Sequence, residues 1–421
     1  MPARPIRRSL VRAHLLLAVV GLPGAARAQP AGAVPEVDQP TFLARFTRSD
    51  ARLEAVRARA RAADGDLLEA GALANPEVSY QREEVFAGGQ GAADQLGLLS
   101  WRLEIPGARG RRIAAARAAR DAARLEAGDD ARGLQLAALA VLHDAAHARL
   151  RLELLAAVRV ELAALVEIVR ARSRKGDVSG ADLDRALLEL GAHDDLVSEA
   201  ALDLEQARAE LARLAGARGG ALDAARSVLD PPAPPGRVAD LVAAARRLRA
   251  DLRAERARSR AAGRRASAAG RRALPELSLT GGIKTSDLGD RTATGYVAGV
   301  GLSIPIFDRG QGARVRAEAE QRAHAAWARA IESALVSEVR AAHRALVAAI
   351  ERARVHAEER VPRALALRKS AEAAYREGER PLFELLDAHR MARDVRLRAL
   401  ELRRAARRAE LTLVRATGGT P

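Results

Sequence analysis

The 421-residue chain contains no cysteine, which excludes disulfide bonds, catalytic thiols, cysteine metal ligands and a lipid-anchoring cysteine. Aromatic residues make up only 2% of the chain, although they bury the largest areas in compact cores. Alanine and arginine are abundant instead, and 29% of the residues are charged. This composition favours long helices packed closely side by side rather than a globule with an aromatic core.

The first 28 residues have the pattern of a secretory signal peptide. Arginines precede a short apolar run, Leu15–Leu22, and Ala26-Arg27-Ala28 has the small-x-small form of a cleavage site. So short an apolar run cannot span a bilayer. The sequence therefore predicts cleavage before Gln29, followed by a flexible segment at 29–40. Five arginines of the net charge of +16 leave with the signal, and the others are interspersed with acids at helical spacing, which argues against nucleic acid as a partner.

The chain contains an internal sequence repeat of two copies. RLEAVRARAR from Arg52 aligns with DLRAERARSR from Asp251, and a later part of the alignment pairs Gly176 with Gly378. The sequence therefore predicts two repeats, 41–216 and 240–418, with a C-terminal tail at 419–421. Each repeat is expected to contain a helix, two strands, a very long helix, a glycine turn and a further helix. The linker 217–239 contains four prolines, which disfavour regular structure.

The strands are predicted as two hairpins, at 76–105 and 275–305. Apolar and polar residues alternate strictly in them, which is typical of transmembrane β-strands with one face toward lipid. A half-buried strand of a soluble sheet alternates in the same way. The membrane interpretation is favoured because half of the ten aromatics lie in or beside the hairpins, as at a membrane interface. The residues expected to face a polar lumen are Ser100, Arg102, Glu104, Ser278, Thr280 and Ser303.

Four strands cannot close a barrel, and an open sheet edge cannot lie in lipid. Several copies of the chain must therefore combine their strands. The helix that starts near Gly107 continues for about 65 residues without proline, which corresponds to a rod of about 100 Å. A rod of that length is stable only when it packs along neighbouring helices. The pattern predicts a membrane barrel continued by a tube of helices.

The duplicated junctions Ile105-Pro106-Gly107 and Ser303–Arg309, with the glycine turns, resemble the TolC-like outer-membrane efflux factors over the whole predicted mature chain. The resemblance implies an α+β membrane protein: a homotrimer whose 12-stranded barrel in outer-membrane lipid continues as a periplasmic helical coiled-coil tube. Pro106, Pro305 and Phe307 would then mark the barrel–helix junction. The implied partners are a periplasmic adaptor (membrane fusion) protein and an inner-membrane pump of the resistance-nodulation-division type. SIPIFDRGQG resembles the branch that exports heavy-metal cations.

The family's spacing at the periplasmic tip is matched by Tyr375, Gly378, Arg380, Glu384 and Asp387. The resemblance implies that Asp182, six residues after Gly176, is held by Tyr375 and Arg380 in the closed state. Glu384 and Asp387 lie one helical turn apart, so three copies would form two stacked acidic rings that attract cations. The alternative is that these are ordinary acids at a helix start, where negative charge is favoured. Glu384 departs from the best-known member, which has Asp.

Other constellations are weaker. His143 and His147 have the i, i+4 spacing of zinc ligands, but no third ligand is evident, and helix packing is the favoured interpretation. No catalytic, cofactor-binding or metal site is predicted, and the protein is expected not to be an enzyme. The sequence leaves open whether the cargo is a metal ion, a drug or a secreted protein. The rival functions are a periplasmic coiled-coil adaptor or a scaffold without a membrane barrel.

Overall fold

The computed structural model describes residues 34–87, 90–104, 107–217, 220–287 and 291–419. The predicted signal peptide lies outside these residues, as does Pro106. The helices are α1 Gln39–Ser49, α2 Ala51–Gly71, α3 Ala108–Lys175, α4 Gly180–Leu214, α5 Val238–Leu248, α6 Ala250–Ala269, α7 Gln311–Val355, α8 Val361–Glu377 and α9 Leu382–Thr417. The strands are β1 Glu36–Val37, β2 Glu77–Ala87, β3 Gln90–Leu103, β4 Asp223–Ala224, β5 Glu276–Asp287 and β6 Thr292–Ser303.

Helix α3 is the longest element, with 68 residues, or about 100 Å at the usual rise. Its alanine-rich sequence contains no proline, and its glycines at 110, 128 and 133 do not interrupt it. Glycines with positive φ, Gly107 at +86° and Gly176 at +81°, flank it. Among the described residues, no helix is both long and apolar enough to cross a bilayer.

The duplication is visible in the backbone. The described glycines with positive φ form three pairs, Gly107 with Gly310, Gly176 with Gly378, and Gly216 with Gly418. Each pair occupies equivalent points of the two repeats: the start of the long helix, the turn that follows it, and the end of the last helix. Left-handed backbone favours glycine because it has no Cβ. The two repeats thus change direction at the same points.

The second long helix differs from the uninterrupted helix that the repeat predicts. Between α7 and α8 lies one wider turn of π-helix, His356–Arg360. Pro362 lies two residues beyond this turn. A proline inside a helix cannot donate the usual backbone hydrogen bond and clashes with the preceding turn. A π turn accommodates this defect without ending the helix. The chain therefore continues in helical form to Glu377.

The four long strands form one antiparallel sheet in the order β2-β3-β5-β6. They lie within the predicted hairpin ranges. The central pairing of β3 with β5 joins the two repeats, with Ser100 opposite Thr280 and Trp101 opposite Leu279. Strands β2 and β6 form the edges of the sheet.

The helices next to the sheet follow the same order. Helix α3 packs against both α2 and α6, and α6 packs against α7. Farther from the sheet, α4 and α9 pack against α3, and α8 packs against α9. The molecule therefore has a sheet that leads into a layer of helices, and the two glycine turns at Gly176 and Gly378 lie at the far end.

Two segments differ from the sequence expectation. Strand β1 lies inside the segment 29–40 that was expected to be flexible, and β4 lies inside the linker 217–239; the two pair in parallel. They are ordered because Val37, Leu222 and Leu229 are buried in a core against α3. The proline-rich stretch 231–235 has no regular structure, as its composition predicts.

The glycines that start the two long helices offer a matched stability test. A Cβ on Gly310 would lie 2.4 Å from the carbonyl oxygen of Ala269, whereas a Cβ on Gly107 would meet nothing within 4 Å. Both glycines have positive φ. We expect Gly107→Ala to cost about 1 kcal/mol of stability, from the backbone conformation alone. Gly310→Ala should cost about 3 kcal/mol, because strain and a steric clash add.

The measurement is the thermal or denaturant midpoint of the purified detergent-solubilised protein, followed by circular dichroism. Equal midpoints for the two alanine variants would contradict the close packing of the α7 start against the end of α6.

Candidate functional site

The two glycine turns are built alike. After Gly176 the backbone N–H of Asp177 donates to the carbonyl of Arg172 at 3.0 Å, and after Gly378 that of Glu379 donates to the carbonyl of Ala374 at 2.9 Å. This is the pattern in which a left-handed glycine satisfies the last carbonyls of a helix. Each turn therefore reverses a long helix within a few residues, as the sequence predicts for the tips.

The two tips pack on one another through an apolar cluster. Its buried members are Leu165, Val166, Val169, Ala186, Tyr375, Leu382, Leu385 and Leu386. They come from α3, α4, α8 and α9, so the cluster joins the tip of the first repeat to the tip of the second. Tyr375 is only 2% exposed. The position of one tip therefore depends on the other.

Arg172 connects the tips through polar contacts that the sequence analysis missed. Its guanidinium lies over the Tyr375 ring, 4.9 Å from the ring centroid. Its Nη1 also donates to the backbone carbonyl of Tyr375 at 2.7 Å. A cation over an aromatic face and a charged donor at a helix C-terminus are both favourable. The last turn of α3 is thus fastened to the last turn of α8.

The contacts expected for Asp182 differ from those observed in the single chain. The Asp182 carboxylate accepts a hydrogen bond from Ser179 Oγ at 2.8 Å, and the backbone N–H of Asp182 donates to Ser179 Oγ at 3.2 Å. Arg380 instead donates to Glu384 at 2.5 Å. In the described chain neither Tyr375 nor Arg380 bonds to Asp182. Local geometry explains this, because serine caps the start of α4 and Arg380 lies one turn before Glu384.

The hydroxyl of Tyr375 is buried and has no hydrogen-bond partner in the described chain. Burial raises the pKa of Tyr375, and the negative charge of Asp182 raises this pKa further, against the effect of Arg172. The phenol therefore stays neutral and lies near the Asp182 carboxylate without bonding to it. What Tyr375 contributes to the tip in this conformation is its ring and its backbone carbonyl.

The two acids proposed for the rings are in different electrostatic states. Glu384 is paired with Arg380 and is about one-third exposed. Asp387 is exposed, and its carboxylate makes no ion pair or hydrogen bond within the described chain. Glu384 and Asp387 lie in the first two turns of α9, three residues apart, so their side chains lie on one face of the helix. Asp387 is therefore the acid without an ion pair or hydrogen bond within the described chain, although Arg390 one turn later is close enough to interact with its charge.

An ion pair between the buried Glu189 and the more exposed Arg390 joins α4 to α9 beyond the tips, and it was not predicted from the sequence. Glu189 is 7% exposed, and its Oε2 accepts from Arg390 Nε at 2.9 Å, with Arg393 at 3.9 Å from its Oε1. The hydrogen bond from Arg390 lowers the pKa of Glu189. The sequence signal for this contact was the position of Glu189 among helix residues that are expected to be buried. It is easily overlooked, because charged residues in long helices are usually solvated.

The four-stranded sheet has one apolar and one polar face. Large side chains on the apolar face are exposed, including Tyr296 at 90% and Val300 at 73%. On the other face Ser100 Oγ lies 3.0 Å from Thr280 Oγ1, and Arg102 lies 3.9 Å from Glu276. The pairing register places Ser278 and Ser303 on this polar face as well. The residues predicted to face a lumen within the strands thus share one face.

The end of the polar face is fastened to the helices. Glu104, just beyond β3, pairs with Arg112 at 2.7 Å, and Arg112 also donates to the carbonyls of Ala70 and Ala72. At the second junction the Asp308 carboxylate accepts from the N–H of Gly310 at 2.9 Å. Phe307 is 90% exposed, and Pro305 precedes it. Both sheet–helix junctions are therefore held by local polar contacts.

The paired histidines of α3 lie in the packed part of the helix layer. His143 is fully buried, and burial lowers its pKa to about 4, with a further contribution from Arg407. Burial likewise lowers the pKa of His147 to about 4. No group of three or more histidine and acidic side chains that could hold a metal ion occurs in the described ranges. These histidines are neutral packing residues near neutral pH.

Residues 241–419 match the family model described as OEP: Outer membrane efflux protein. The second repeat therefore matches the outer membrane efflux family. No curated protein matches this chain. The family match runs from within α5 to the end of α9 and includes β5, β6 and the second tip. It therefore includes most of the residues singled out from the resemblance.

Solved structures of outer-membrane channels share the fold. CusC, whose crystal structures describe folding and transmembrane channel formation, is similar with a TM-score of 0.75 and 18% identity over 94% of this chain and 96% of its own. The outer-membrane channel OprN gives 0.74 and 21% identity over 90% of each chain. VceC, an outer membrane protein of Vibrio cholerae, gives 0.72 and 18% over 90% of this chain and 96% of its own. The likeness extends over both repeats.

Proposed function

We propose that the protein is the outer-membrane channel of a tripartite efflux or export system. It conducts cargo from an inner-membrane pump and a periplasmic adaptor across the periplasm and the outer membrane. The observation that carries this proposal is the four-stranded sheet, with its exposed apolar face and its two edge strands β2 and β6. The sheet leads into a layer of long helices in the same order. A single copy is incomplete, because open edges and apolar faces require a partner.

Three copies complete it. With β6 of one protomer paired to β2 of the next, twelve strands close into a barrel whose apolar face contacts outer-membrane lipid. Each helix layer then forms one third of a periplasmic coiled-coil tube. The polar face with Ser100, Arg102 and Thr280 lines the lumen. Conduction through such a tube requires no covalent step, so the function is not enzymatic.

The tips are the end that meets the partners. They lie at the opposite end of the helices from the sheet, where a periplasmic adaptor and a pump of the resistance-nodulation-division type would dock. The match of residues 241–419 to the outer membrane efflux family supports these partners. Glu384 and Asp387 of three copies form acidic rings around the axis, and Asp387 supplies the carboxylate that has no ion pair within the described chain. These rings favour passage of cations at the entrance.

Heavy-metal cation efflux stays a hypothesis that rests on the sequence SIPIFDRGQG. In the structure this segment ends β6 and starts α7, where Asp308 and Gly310 shape the turn. Those residues set the direction of the helix. They support the channel architecture rather than a choice of cargo.

The proposed pairing of edge strands can be tested by disulfide cross-linking. The chain has no cysteine, so every disulfide reports an introduced pair. Ser79→Cys on β2 is combined, one at a time, with cysteine at Gly295, Val297 or Gly299 on β6. All four positions lie on the polar face, and one combination should link protomers into covalent dimers and trimers, since bridged Cα atoms lie within about 7 Å.

The matched control combines Ser79→Cys with Tyr296→Cys, whose side chains lie on opposite faces and should not link. Light scattering should show a trimer in detergent. A monomer that stays soluble without detergent, with no intermolecular disulfide in any combination, would support the coiled-coil adaptor or scaffold instead.

A further inference from the structure

A groove of about 760 Å³ lies where the polar face of the sheet meets the helix layer. Its walls come from the ends of α2 and α6 and the starts of α3 and α7, together with the last residues of β3 and the first of β5. Ten alanines line it, among them Ala116, Ala119 and Ala268. Their short side chains leave a wide apolar surface. The groove is concave and partly open to solvent.

The charges around the groove do not balance. Six arginines but only three glutamates line it. Glu104 forms an ion pair with Arg112 at 2.7 Å, and Glu320 forms one with Arg265 at 2.8 Å. Glu276 lies 3.9 Å from Arg102. Every carboxylate of the groove therefore already has an arginine partner.

Three of the six arginines that line the groove have no carboxylate partner in the described chain. Arg271 and Arg272 lie in the short 3₁₀ turn between α6 and β5, and Arg316 lies in the first turns of α7. In the described chain their guanidinium groups make no ion pair and no hydrogen bond. Arginine forms strong paired hydrogen bonds to carboxylate, sulfonate and phosphate groups. An alanine surface edged by three uncompensated arginines thus has the chemistry to hold an apolar body that carries an acid.

We propose that this groove is a binding site for anionic amphiphiles, with the acid group on Arg271, Arg272 and Arg316 and the apolar body on the alanine surface. The site goes beyond the proposed channel function and does not depend on it, because one chain supplies every residue. It also gives the sheet–helix junction a charge opposite to that of the acids at the tip.

A matched pair of fluorescent probes tests the assignment. 8-Anilinonaphthalene-1-sulfonate carries a sulfonate, and N-phenyl-1-naphthylamine has the same aromatic body without charge. Binding to the full chain in nanodiscs of zwitterionic lipid is measured by equilibrium dialysis, with empty nanodiscs subtracted. The sulfonate should bind at least tenfold more tightly than the neutral probe, because only the charged probe engages the arginines.

Two kinds of variant separate the parts of the site. The triple variant R271Q/R272Q/R316Q should weaken sulfonate binding at least tenfold and leave neutral-probe binding unchanged. The control R329Q/R340Q/R363Q removes the same charge from exposed arginines outside the groove that likewise have no partner in the described chain, and it should bind as the parent. Ala268→Leu fills the apolar surface and should weaken both probes.

Equal sulfonate binding by the parent and the groove triple variant would overturn the proposal. An equal loss of sulfonate binding in the groove and control triple variants would also overturn it, because it would show a general effect of charge. If the triple variant does not fold, each single substitution should still weaken sulfonate binding two- to threefold. The readout is binding without transport. A protein that binds the sulfonate but forms no trimer would sink the channel proposal alone, and a conducting trimer without this binding would sink the groove alone.

Discussion

Replacing Val300 by arginine should prevent the trimeric channel from forming. Val300 lies on the apolar face of β6 and is 73% exposed in the single chain, opposite Leu279 of β5. In the proposed barrel this face contacts lipid, where an arginine costs about 2–4 kcal/mol per copy near mid-bilayer depth. The penalty occurs three times in a trimer. Membrane fractionation and light scattering in detergent should show loss of the outer-membrane trimer.

The control for this substitution lies at the same height on the other face. Thr280 pairs with Gly299, the neighbour of Val300, and its side chain meets Ser100 on the polar face. Thr280→Arg should leave trimer yield close to that of the parent, because an arginine there faces water. If both variants assemble equally well, the apolar face does not contact lipid and the sheet is covered by something else.

The parts of the fold that sequence predicted are the ones governed by local rules. The hairpins follow from two-residue alternation, and the reversals at Gly176 and Gly378 follow from the need for left-handed backbone. The order β2-β3-β5-β6 was not predictable in this way, because it depends on which repeat pairs with which. The π turn did have a sequence signal in Pro362, which the repeat pattern obscured.

The candidate site divides in the same manner. The identity and spacing of Tyr375, Glu384 and Asp387 could be read from the sequence, since they lie close together in the chain on either side of the turn at Gly378. The partner of Tyr375 could not, because Arg172 lies 203 residues away and belongs to the other repeat. Glu189 and Arg390 are similar, as their contact exists only when α4 and α9 are packed together. Contacts between repeats require the assembled tertiary structure.

Two hypotheses about which contact holds the tip closed can be distinguished with one pair of variants. The resemblance implies that the Tyr375 hydroxyl and Arg380 hold Asp182 in the closed state. The structure instead has Arg172 fastened to the ring and carbonyl of Tyr375, with the hydroxyl unpartnered. Arg172→Met keeps a long apolar side chain and removes the charge and the donor. Tyr375→Phe keeps the ring and the carbonyl and removes only the hydroxyl.

We expect Arg172→Met to open the tip and raise single-channel conductance in planar bilayers, while Tyr375→Phe conducts as the parent. A charge-assisted hydrogen bond and a cation over an aromatic ring contribute about 2 kcal/mol together in each copy. Three copies give about 6 kcal/mol, enough to change a two-state tip from 1:99 to 99:1. Arg380→Ser should leave the tip closed and increase cation preference, because it frees Glu384. Higher conductance in Tyr375→Phe with an unchanged Arg172→Met would instead establish Asp182 as the anchor in the trimer.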